Sequence, residues 1–148
     1  MKENLVDKYF YDPETGKTEC ILEDLTSGKK YSGVAICHEE DKDWQSEKIG
    51  NAIACNRAVI AYYNELKRTT KIEKEALNNV YKTYLHRSNF NNDYDNPYVR
   101  ILRKKIWSLH NEMQEINEII QNIEHVTTNY INAKENYHKK IDAMRKTK

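Results

Sequence analysis

Apolar side chains stand at Leu102, Ile106, Leu109, Met113, Ile116, Ile120 and Ile123, in alternating steps of four and three. That spacing is a heptad repeat with both seam positions filled, and it predicts a helix that needs a partner helix along its length. Val99 extends the pattern toward the start, and the phase runs on through Thr127, Tyr130, Lys134, Tyr137, Ile141 and Met144. Asn96 is a good N-cap and Pro97 suits the first helical position, where a missing N–H costs nothing. The pattern therefore predicts a helix over 97–148, roughly 75 Å long at about 1.5 Å per residue. Its partner is either folded back from the same chain or supplied by another copy, and an oligomer is the reading adopted.

Upstream, Ile49, Ile53, Asn56, Ile60 and Tyr63 repeat the alternation of four and three. Gly50, Ala52, Ala54, Ala58 and Ala61 keep the rest of that helix slender, so that a neighbour can approach closely. Asn56 is a polar residue on the seam, and a buried hydrogen bond that sets register is its expected role. Thr70-Lys71-Ile72-Glu73 matches a capping box, which predicts a second helix starting there after a kink or break. Leu77, Val80, Tyr81, Tyr84 and Leu85 give it one broad apolar face. Before these helices, 17–25 and 31–38 read as two short strands joined around Gly28, preceded by a turn at Asp12-Pro13-Glu14-Thr15-Gly16. No internal repeat is evident. The fold class is α+β, mainly α, with a small antiparallel β-hairpin head (1–45) packed on a central helix or helix pair (46–88). An Asn/Asp-rich loop (89–96) and the long heptad helix (97–148) complete a single domain, assembled as an oligomeric helical bundle or coiled coil.

Composition narrows the function classes. The net charge of +1 conceals an acidic 1–45 segment at −5, with 46–96 at +2 and 97–148 at +4. That balance is too weak for a general duplex-DNA binder, which usually carries a plainly basic domain. No stretch resembles a signal peptide or a membrane span, so a cytoplasmic protein with no membrane contact is expected. Cys20, Cys37 and Cys55 are odd in number and set among apolar neighbours, which suits reduced core thiols.

No catalytic motif is present: there is no phosphate-cradling glycine loop, dinucleotide fingerprint, Cys-x-x-Cys pair or nucleophile elbow. The expectation is a protein that is not an enzyme and carries no cofactor. His38 beside Cys37 and Glu39, Glu40, Asp41 and Asp43 lacks a recognised ligand spacing, so it reads as an acidic solvated turn and no metal site is assigned. The start of the long helix is more informative. Helix N-termini favour acidic groups, yet Arg100, Arg103, Lys104 and Lys105 crowd the first three turns. Arg100, Arg103 and Lys104 share a face. Phe90, Asn91, Asn92, Tyr94 and Asp95 stand just upstream, and Tyr98 and Trp107 lie within the helix. Such a set can bind a phosphorylated nucleotide, with arginine on phosphate, an aromatic face on a base, and Asn or Asp on polar edges. Pairing of the cations with the acidic head, or plain solvation, is the competing explanation.

The run from Tyr31-Ser32-Gly33-Val34-Ala35-Ile36-Cys37 through the acidic turn to Ile49-Gly50-Asn51-Ala52-Ile53-Ala54-Cys55-Asn56-Arg57-Ala58 resembles the phage Thoeris anti-defence proteins that act as nucleotide sponges. The resemblance covers about 30 residues, within roughly 31–63. It implies an oligomer that binds a cyclic ADP-ribose-type immune signal without degrading it, with cyclic oligonucleotides held at separate pockets in some members. Arg57 is the matched position it offers as a contact to ligand phosphate, a salt bridge to Asp41, Asp43 or Glu47 being the alternative. The function expected is sequestration of a small signalling nucleotide by a homo-oligomer in the host cytoplasm. The rival readings are a protein–protein inhibitor or adaptor that captures a host partner along the heptad helix, a structural coiled coil, and single-stranded nucleic-acid binding near 90–107.

Overall fold

In a computed structural model, residues 4–36, 47–88 and 96–146 are described. Three strands come first, β1 (Leu5–Asp12), β2 (Lys17–Asp24) and β3 (Lys30–Ile36), followed by helices α1 (Glu47–Ser88) and α2 (Pro97–Lys146). The fold is α+β and mainly α. Two units divide the chain, one formed by 1–62 with 121–148 and the other by 63–120.

The first unit holds an antiparallel sheet in the order β1-β2-β3. The expected two-stranded head is thus corrected to a three-stranded meander, because residues 5–12 pair with β2 from Leu5↔Asp24 to Asp12↔Lys17. Both hairpins close with the same device. Asp12 and Asp24 each accept the N–H two residues on through Oδ1, at 2.9 Å in both cases. Gly16 and Gly28 return an N–H to the Asp12 and Asp24 carbonyls at 2.8 and 2.7 Å. Both glycines sit at positive φ (69° and 73°), which a side chain would resist.

One face of the sheet takes α1. The register aligns Tyr9, Cys20 and Gly33 across the strands, and Thr18 with Ala35. A Cβ at Gly33 would run into the Ala54 carbonyl and Ala58 amide of α1 and come within 2.8 Å of Arg57 Cβ. Gly50 meets Thr18 in the same way, since a Cβ there would lie 3.1 Å from Thr18 Oγ1. The slender residues of α1 therefore let its backbone rest on β2 and β3, and Ala54, Ala58, Cys20 and Leu22 are wholly buried. Tyr31 packs edge-on against Tyr62 at 5.4 Å. From α2, Thr127 is buried, accepts a hydrogen bond from Asn56 Nδ2 at 3.2 Å and donates its own to the Ile123 carbonyl at 2.8 Å. Asn56 thus has the seam hydrogen bond expected of it.

The second unit is a pair of antiparallel helix segments. As α1 advances from Lys74 to Tyr84, its contacts on α2 retreat from His110 to Tyr98. Of the single helix or helix pair that the sequence left open for 46–88, the structure has the first: α1 is one helix of 42 residues, unbroken at Thr70. The heptad phase explains this: Tyr63, Lys67, Thr70, Lys74, Leu77, Tyr81 and Tyr84 continue the seam, and all are buried or half-buried. Thr70 is a buried seam residue rather than a cap, while Thr69 Oγ1 bonds back to the Leu66 carbonyl at 2.9 Å. On α2, Val99, Leu102, Ile116 and Ile120 are buried, with Ile106, Leu109 and Met113 half-buried between them. Where the helices touch, both seams leave solvent, so the partner helix comes from the same chain. Among the described residues, no helix is long and apolar enough to cross a membrane.

Candidate functional site

The site is positioned by the cap of α2. Asn96 Oδ1 accepts the Tyr98 amide at 2.9 Å and the Val99 amide at 3.4 Å, satisfying donors that a helix start leaves open. Its Nδ2 donates to the Tyr84 hydroxyl at 2.8 Å, and the Tyr84 ring stands edge-on to Tyr98 at 4.8 Å. These contacts tie the start of α2 to the last turns of α1. The first turn of α2 has no acidic residue. Arg100, Arg103 and Lys104 follow it, all on the exposed surface.

Arg103 reaches an open groove of about 420 Å³, within the roughly 300–1,000 Å³ of ordinary small-ligand sites. Two rows of side chains line it, each in steps of four and three: Lys74, Asn78 and Tyr81 from α1, and Arg103, Trp107 and His110 from α2, with Ile106 between them. Two cationic side chains, an amide, a phenol, an imidazole and an indole face it, and among the described residues that line it none is a carboxylate. Lys74 Nζ lies 3.0 Å from His110 Nδ1, and Gln114 Nε2 lies 3.2 Å from His110 Nε2. An ammonium has only donors, so Nδ1 is the acceptor in the Lys74 contact. Trp107 stacks on the same imidazole with centroids 5.7 Å apart and planes 26° apart.

Of the residues singled out in the sequence, Arg103 and Trp107 line this groove; Arg100 and Lys104 share the helix face of Arg103 without appearing among the lining side chains. Arg57 lies in the other unit, where its Nη1 donates to the Val34 carbonyl at 2.5 Å and ties α1 to β3. Phe90, Asn91, Asn92, Tyr94 and Asp95 lie outside the described residues, as do Cys37, His38 and the acidic turn. Sequence reasoning missed Lys74, Asn78, Tyr81 and His110, since the α1 row becomes part of a site only once the antiparallel register is known. Beside the end of α1, Asn79, Val80, Thr83, Tyr84 and Arg87 line a second groove of about 560 Å³. No group of His, Cys, Asp and Glu suited to a metal ion occurs among the described residues.

Beneath the sheet, Tyr9, Cys20 and Cys55 form a separate cluster, with Tyr9 donating to Asp7 Oδ2 at 2.8 Å. Burial, then the neighbouring Cys55, pushes the Cys20 thiol from 9.0 up to about 11. Burial also raises the Tyr9 phenol, with hydrogen bonds to Cys55 and Asp7 adding to it. A thiol so raised is a poor nucleophile at neutral pH.

Comparison of the chain with protein-family models, with curated proteins and with solved structures found no match.

Proposed function

We propose that this protein binds an anionic nucleotide messenger, of the cyclic ADP-ribose type that the resemblance implies, and holds it without chemical change. The observation that carries this reading is the groove at Arg103. It joins two cations to aromatic and amide groups, with no carboxylate among the described lining residues. Guanidinium and ammonium groups suit phosphate, and stacking rings suit a base. An oligomer belongs to the proposal, with Ile101 and Ile119 as exposed apolar positions of α2 through which copies associate. The adaptor reading has the same outer face open to it, and the exposed late seam positions Tyr130 and Met144 as well.

A thermal-shift panel of nucleotides tests the proposal. At a hundredfold excess over Kd, a bound ligand adds about 2.7 kcal/mol, which for a chain of this length raises Tm by several degrees. The rise is expected for cyclic ADP-ribose-type ligands and is expected to vanish in Arg103→Glu. A flat panel, or an equal rise in that variant, contradicts it.

A further inference from the structure

Trp107 is 65 % exposed, although an indole gains more from burial than almost any other side chain. It is also held in place. His110 lies parallel to it, and His110 is itself pinned through both ring nitrogens by Lys74 and Gln114. One ring face is thus braced by a fixed imidazole, while most of the indole stays open to solvent. Arg103 stands one helical turn before Trp107 on the same row, and Lys74 faces the row from α1. An aromatic surface braced from behind and set beside two cations is the arrangement that receives a base and its phosphate together.

We infer that Trp107, backed by His110, is a stacking shelf for the base of a nucleotide whose phosphate lies against Lys74 and Arg103. This rests on the messenger-binding reading and narrows it: the ligand is recognised through an aromatic base as well as through charge. A polyphosphate without a base engages the cations only.

The test uses intrinsic fluorescence. The chain has two tryptophans, so a Trp44→Phe background leaves Trp107 as the reporter. Cyclic ADP-ribose is expected to quench its emission, and pyrophosphate to bind more weakly without comparable quenching. Trp107→Leu is expected to weaken cyclic ADP-ribose about tenfold or more, the scale of one base–aromatic stack, and to leave pyrophosphate unchanged. Trp107→Phe, which keeps a ring, is expected to retain most of the affinity. If Trp107→Leu binds cyclic ADP-ribose as tightly as its parent, the shelf is wrong while nucleotide binding stands. If Trp107 emission is already blue-shifted and shielded from acrylamide without ligand, a second copy covers the ring and the shelf is again wrong. If neither probe binds any form of the protein, the shelf and the messenger reading fail together.

Discussion

Gly33 carries the contact between sheet and helix, because the backbone of α1 passes where its Cβ would be. Gly33→Ala therefore forces α1 away from β3, and a cost of roughly 1–3 kcal/mol or more is expected in urea unfolding. An unchanged midpoint would mean that α1 does not lie on the sheet. Cys20 gives a second expectation. Its folded-state pKa is raised from 9.0 to about 11, so above 9.0 the unfolded chain binds fewer protons than the folded one. Stability is then fully present below 9.0 and is lost as pH climbs toward 11. Unfolding midpoints followed through that window are expected to fall, and to fall less steeply in Cys20→Ala. A parent whose midpoint holds steady to pH 11 contradicts this. The resemblance offered Arg57 as a contact to ligand phosphate, with a carboxylate pair as the alternative; in the structure its Nη1 donates to the Val34 carbonyl of β3.

The helices were the most legible elements, since an apolar alternation of four and three repeats over many turns and the Asn96-Pro97 start carries its own cap. Where local chemistry conflicted with that period, the period prevailed. Thr70-Lys71-Ile72-Glu73 has the residues of a capping box, but Thr70 falls on the seam phase and is buried inside an unbroken helix. Lys71→Pro separates the two arrangements at an exposed position. In a helix interior it is expected to cost ~3 kcal/mol, whereas at the first position of a new helix it would be tolerated. A stable Lys71→Pro variant with unchanged helicity would contradict the continuous α1. The strand β1 was illegible for a different reason. All but one of its residues are exposed, so it shows no buried face, and only its turn marks it. Asp12-Pro13-Glu14-Thr15-Gly16-Lys17 and Asp24-Leu25-Thr26-Ser27-Gly28-Lys29 share Asp, Gly and Lys at the same offsets, and that match was the available signal for a third strand.

At the scale of the molecule, the groove arises because two long helices run antiparallel and set a row from each side by side. Of its lining, Arg103 and Trp107 stood out in the sequence, through the crowding of cations and aromatic residues near the start of α2. The rest depends on tertiary register, which pairs Lys74 with His110 across 36 positions of sequence. Sequestration asks for tight, slowly released binding, and release rates are where affinity is mostly set. The central claim is therefore tested most directly by recovering the ligand. The protein in molar excess is mixed with cyclic ADP-ribose-type messengers, the free fraction is filtered off and measured, and the protein is heated to release what it held. The messenger is expected to vanish from the filtrate, to return chemically intact on heating, and to remain free throughout with Arg103→Glu. A messenger that stays in the filtrate, or comes back cleaved, contradicts it.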